Sequence, residues 1–206
     1  MPADTVFLAD LASADPTPGG GGASAFCGAL GASLASMVGN LTVGKERYRG
    51  VEAQMTQALL ELEELRGQLV DLVDQDAQAF GRLAQSWKMP VNNDIERQAK
   101  HNAGQEALTN ACQVPLEIMG ACAKVIVLCG FMAQNGSAMA LSDAGVAALC
   151  ARAALEGASL NILINAKSFD DRATAQEFLD KQQALIDRYA PMAQETYELV
   201  RNKVGR

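Results

Sequence analysis

Residues 16–48, PTPGGGGASAFCGALGASLASMVGNLTVGKERY, constrain the fold more than any other part of the chain. Pro16, Pro18 and four glycines, Gly19 to Gly22, lead into a run with no charged side chain until Lys45. A Pro/Gly loop of this kind delivers the chain into a helix, and so uncharged a helix belongs in a core. Its large apolar residues, Phe26, Leu30, Leu34, Met37 and Leu41, recur close to the helical period. A second stripe, Gly28, Ala32, Ala35 and Gly39, is almost bare and lets another helix approach closely. A third, Ser33, Ser36 and Asn40, is polar; Asn40 there either bonds a neighbouring helix or faces a ligand. The run is long enough to span a bilayer. Nearly half of it is Gly, Ala or Ser, however, so a central buried helix is the better reading.

The remainder of the chain follows helical periods. Val51, Met55, Leu59, Leu62, Leu65, Leu69, Leu72, Phe80, Leu83 and Trp87 make one apolar stripe over 51–88, with acidic residues largely opposite. Asp76 breaks that sorting, a carboxylate on the apolar face between Val73 and Phe80. Met89-Pro90 ends the helix, and Asn93 or Asp94 caps the next, over about 94–112. Pro115 then suits the first turn of a separate helix to about Ala133. Asn135-Gly136-Ser137 reads as a turn, with an Ala-rich helix from Ser142 or Asp143 to about Lys167. Residues 171–203 form a last amphipathic helix, with a kink at Pro191. Phe7, Leu8 and Leu11 share a face of a short helix at the start.

At 206 residues the chain is large enough for one well-formed core. The chain is 49% hydrophobic but only 5% aromatic, which favours a core of closely packed helices over a sheet. The expected fold is therefore all-α, a bundle of long antiparallel helices in a single domain over 1–206. A net charge of −7, with no basic patch interleaved with aromatics, argues against nucleic-acid binding. The first residues, MPADTVFLADLAS, lack the basic start of a secretory signal. Five cysteines without a C-x-x-C pair read as reduced thiols, and the location expected is cytoplasmic. With a single histidine, His101, neither a metal site nor a histidine-activated nucleophile is expected.

Several groups carry potential chemistry. Asp76, desolvated among Val73, Phe80 and Leu83, should have a raised pKa suited to moving protons. The plainer reading is a carboxylate that pairs with a lysine or caps a neighbouring helix. Lys45 and Tyr48 share a face if the central helix continues through them; a lysine there more often just complements the helix dipole. Gly19, Gly20 and Gly21 offer backbone N–H groups to an anion at a helix start, or simply permit close packing. Asp143, Asn161 and Asn165 lie on one helix face joined by alanines, and with Asn135 they suit a heterocycle; Asn135 and Asp143 equally suit a turn and a cap.

Four stretches, PTPGGGGA, SMVGNLTVGKERY, DAQAF and NGSAMALSDAGVA, together with ALEGASLNILINAKSFDDR, resemble the cyclodeaminase/cyclohydrolase family of folate enzymes, in order and over nearly the whole chain. Ala138-Met139 departs from the polar residues expected after the Asn135 turn. The resemblance implies an all-helical homodimer acting on a tetrahydrofolate derivative without cofactor, metal or membrane. It also implies catalytic roles for Asp76 and Lys45. The remaining residues, Gly19, Gly20, Gly21, Asn40, Tyr48, Asn135, Asp143, Asn161 and Asn165, would bind substrate, with the glycine-rich turn a candidate for the anionic glutamate tail. The first activity implied is methenyltetrahydrofolate cyclohydrolase; formimidoyltetrahydrofolate cyclodeaminase is the alternative within the family. A non-catalytic folate- or partner-binding module is the alternative from another class.

Overall fold

The computed structural model describes residues 5–205 and, among them, contains helices and no strand. Six α-helices follow in order: α1 (Thr5–Leu11), α2 (Gly20–Asn40), α3 (Glu52–Trp87), α4 (Asp94–Asn135), α5 (Leu141–Ala166) and α6 (Arg172–Val204). Short 3-10 turns, Glu46–Val51 and Ala138–Ala140, precede α3 and α5. One contiguous apolar core joins α2 to α6, and α1 rests outside it with its Phe7 ring 4.8 Å from that of Phe26.

Helix α2 lies at the centre, and its bare stripe is the part it buries. Ala32 and Ala35 are fully buried, and a Cβ added at Gly28 would meet Cys122 Sγ at 2.7 Å. Helix α5 packs antiparallel along α2: Gly20 lies beside Asn161, and Gly31 beside the backbone of Ala147 and Ala151. Alanines 144, 147, 148, 151, 154 and 158 of α5 are all buried against its neighbours. Small residues on both helices are what permit this separation. A Cβ at Gly31 would sit 2.9 Å from Ala147 O and 3.2 Å from Ala151 N, backbone atoms that cannot yield. The overpacking cost of about 1–3 kcal/mol exceeds the roughly 1 kcal/mol of helix propensity that alanine brings. Gly31→Ala should therefore lower the denaturant midpoint of unfolding.

The large residues of α2 point the other way. Leu30, Met37 and Leu41 are exposed, as are Val146, Leu149, Leu160, Leu163 and Ile164 of α5. Exposed large apolar residues thus run along both of these packed helices, and Ile164 among them also lines the cavity described below. Three segments, in α2, in α4 and over Ala138–Ala166, are long and apolar enough to cross a membrane by length and composition; 61%, 56% and 44% of their most apolar windows are buried inside the fold.

Two sequence expectations change. Pro115 does not start a helix: α4 runs unbroken from Asp94 to Asn135, with Asn93 as its cap, Oδ1 accepting from Glu96 N at 2.9 Å. A proline inside a helix leaves the carbonyl four residues earlier without its donor. Here that carbonyl is Ala111 O, and the Asn165 side chain of α5 donates to it at 2.8 Å. Tertiary contact repairs what local rules treat as a break. Likewise α2 does not continue to Tyr48: it ends at Asn40, and Gly44, at φ 75°, turns the chain before Lys45. Pro191 also lies within a continuous helix, α6.

Candidate active site

The first turn of α2 lacks a side-chain cap of its own, because its N-cap residue is Gly19. Asp76, reaching across from α3, supplies one: Gly22 N donates to Asp76 Oδ2 at 2.9 Å. The glycines make room for it. A Cβ at Gly21 would fall 2.1 Å from Asp76 Oδ1. Burial pushes the Asp76 carboxyl above the usual carboxylate range, and the Gly22 hydrogen bond only partly opposes that. No lysine pairs with it among the described residues. Asp76 does cap a neighbouring helix, as the plainer reading held, but it also lines a cavity.

That cavity, of about 810 Å³, is bounded by Gly19, Gly20 and Gly21 of the α2 start, by Asp76, Phe80, Leu83, Ser86 and Trp87 of α3, by Lys100 to Ala111 of α4, and by the end of α5. Its size suits a small organic substrate. Asn161 lines it beside Gly20, its Nδ2 only 3.4 Å from its own helix's Gly157 O. Asn165 also lines it, although its amide N–H is spent on Ala111 O. Gly21→Ala should displace the carboxylate and break the Gly22 bond, so turnover should fall at least about tenfold with the helical circular dichroism retained.

Sequence reasoning passed over part of this wall. Phe80 and Trp87 read as core residues of the apolar stripe, yet Trp87 is 57% exposed and its ring meets Phe80 edge-on at 6.0 Å. Lys100, His101 and Gln105 fall in the helix expected over about 94–112, and the sequence assigns them no role in binding. They line the far end, where His101 Nε2 meets Asp170 Oδ2 at 2.7 Å and Gln105 holds Ser168 O and Asp170 N. An aromatic at the exposed limit of a stripe was the available signal.

The other candidate residues lie at the opposite end of α2, roughly 30 Å away at 1.5 Å per residue. Asn40 ends α2 and is exposed, Lys45 is exposed, and Asp143 is half-buried in the first turn of α5. Tyr48 and Asn135 line a second cavity of about 380 Å³, with Arg47 and Lys203. Ala138 N donates to Tyr48 Oη at 3.1 Å, and this bond, with lesser help from Ser137, Arg47 and Lys45, lowers the phenol's pKa. Within one chain, then, the candidates form two groups. Among the described residues no three His, Cys, Asp or Glu side chains converge as metal ligands would.

The formiminotransferase-cyclodeaminase family model matches residues 5–184. The chain belongs to that family. Among its relatives, a methenyltetrahydrofolate cyclohydrolase of Methylorubrum extorquens is 44% identical over 97% of this chain and 96% of its own length. The formimidoyltransferase-cyclodeaminase of Rattus norvegicus is 35% identical over 80% of this chain, a match spanning 30% of that longer protein. A formiminotetrahydrofolate cyclodeaminase from Thermotoga maritima has the same helical fold, with a TM-score of 0.83 and 26% identity over 99% of this chain and 96% of its own. The all-α architecture expected from periodicity is thus a family property.

Proposed function

We propose that the chain is a methenyltetrahydrofolate cyclohydrolase, converting 5,10-methenyltetrahydrofolate and water to 10-formyltetrahydrofolate, and the reverse. The observation that carries this is the 44% identity to the Methylorubrum cyclohydrolase, over 97% of this chain and 96% of that protein. The Asp76 cavity supports an enzyme over a binding module, because the carboxylate is not locked to a lysine. The Thermotoga relative favours the second reading, cyclodeaminase action with release of ammonia, through the same amidinium carbon.

The methenyl bridge is an amidinium cation, and the Asp76 carboxylate stabilises it. Water adds to the bridge carbon as Asp76 takes its proton, giving a neutral tetrahedral adduct. The C–N5 bond then breaks as the adduct's hydroxyl gives up its proton; N5 keeps the electron pair and gains a proton, and the carbon remains on N10 as a formyl group. Substrate cation and water together release one net proton. The acid limb of the pH–kcat/KM profile should therefore sit above the ordinary carboxylate range, with activity rising as Asp76 ionises.

A homodimer through the exposed α2/α5 face completes this reading. An uncovered apolar face of two helices needs a partner, and a second copy across a two-fold axis offers a self-complementary one. With the axis perpendicular to α2, the helices pair antiparallel. The C-terminal end of the partner's α2 then lies over the cavity at the Gly20 end of the first. The partner's Lys45 comes to the Asp76 site as the proton donor to N5, with the partner's Tyr48, Asn40, Asn135 and Asp143 near the pterin. The alternative axis, parallel to α2, leaves both Lys45 residues far from either cavity. Met37→Glu should convert a dimer to a monomer by light scattering and remove activity with it. A cytoplasmic location without membrane or nucleic-acid partners fits the five free thiols and the net charge of −7.

A further inference from the structure

We infer that the end of the cavity opposite Asp76, lined by both Lys100 and Lys167, is the binding site for the carboxylate-bearing tail of the folate. This rests on the functional reading above. The cavity is elongated along α3: Asp76 and Trp87, which both line it, are separated by about 16 Å of helix. Its ends differ in charge. At the α2 start, where a helix N-terminus would receive an anion, the Gly22 amide is already occupied by the Asp76 carboxylate. A second carboxylate there would meet the first.

The other end carries two ammonium groups without an ion pair, against one carboxylate, Asp170, which His101 Nε2 meets at 2.7 Å. Lys100 Nζ donates to Trp87 O at 2.7 Å and Met89 O at 3.3 Å, neutral carbonyls that leave one N–H and the full charge. The ammonium of Lys167, the residue just beyond α5, has no ion pair or hydrogen bond among the described residues, and Lys167 lines the cavity too. In an acidic chain, two unpaired lysines at one end of one cavity form a local field of opposite sign. Both lysines sit at helix C-termini, Lys100 on the last carbonyls of α3 and Lys167 as the C-cap of α5, but only Lys100 spends its ammonium on those carbonyls. Between the ends, Phe80, Leu83 and Leu108 give the middle an apolar wall. Carboxylate, apolar wall and ammonium pair thus match, in order, the cationic ring system, the aminobenzoyl ring and the anionic tail.

The chain has one tryptophan, Trp87, and it lines this cavity, so its fluorescence reports binding without turnover. The ligands are tetrahydrofolate and tetrahydropteroate, which differ only in the tail. Wild-type protein should bind tetrahydrofolate about tenfold more tightly, the size of one charge-assisted contact near a surface. Lys167→Ala should bring that preference close to one by weakening only the tail-bearing ligand, Lys167→Arg should keep it, and added salt should shrink it. Equal wild-type affinity for the two ligands, or an equal loss for both in Lys167→Ala, would overturn the tail site alone. Binding of neither ligand would overturn the tail site and the functional reading together.

Discussion

Asp76→Asn should lower kcat/KM for methenyltetrahydrofolate by about 10³-fold, the usual worth of a positioned acid–base group, while the protein stays folded. Asparagine keeps the oxygen that Gly22 N bonds, so the α2 cap survives. What disappears is the charge and the ability to accept a proton from water. Stability should move the opposite way. Because burial raises the folded-state pKa of Asp76, the native protein holds the neutral acid longer than the unfolded chain does. That contribution to stability is full below the unfolded carboxylate's pKa and is lost as pH rises through the raised, folded value. At neutral pH the wild type carries the penalty of a partly buried charge, and the asparagine variant does not. Its Tm near pH 7 should equal or exceed that of the wild type, with the advantage vanishing in acid. A variant that lost turnover and stability together would make Asp76 a cap and nothing more.

Mixing two inactive variants should restore activity, the second large effect. If the cavity draws Asp76 from one subunit and Lys45 from the other, Asp76→Asn and Lys45→Ala homodimers are each broken at both sites. In a heterodimer one site collects both substitutions and the other collects neither. Random re-association makes half the dimers mixed and one site in two of these intact, so about a quarter of wild-type activity should return. An equimolar mixture, exchanged through mild denaturant and assayed after dilution, reads this directly. Activity no higher than the sum of the parents would separate Lys45 from the cavity. The result also distinguishes the two possible axes, because only antiparallel α2 pairing joins the residues.

Much of this was legible in the sequence, and what was not has identifiable causes. The stripe of α3 was readable because a long amphipathic helix repeats its signal over many turns, and Asp76 stood out by violating it. Pro115 misled because helix-breaking rules are local, whereas the donor that repairs the helix, Asn165, comes from 50 residues further on. Whether α2 continues through Lys45 and Tyr48 stays open in the sequence because nothing nearby but Gly44 signals a stop, and a single glycine is weak evidence. The central helix was rightly read as buried by its lack of charge. Which stripe it buries was harder, since small residues pack inward only when the opposing helix is equally bare, as α5 is. The Trp87, Lys100 and Lys167 end of the cavity left little trace, because its residues come from three helices and each looks ordinary in its own.

The decisive measurement is the loss of methenyl absorbance in the presence of the protein, against buffer alone, because methenyltetrahydrofolate also hydrolyses unaided. Purified wild-type protein should accelerate the loss with saturation in substrate, 10-formyltetrahydrofolate should appear in equal amount, and Asp76→Asn should fall close to the buffer rate. A wild-type rate no faster than buffer, with ammonia released from 5-formimidoyltetrahydrofolate instead, would contradict the cyclohydrolase assignment and make the chain a cyclodeaminase.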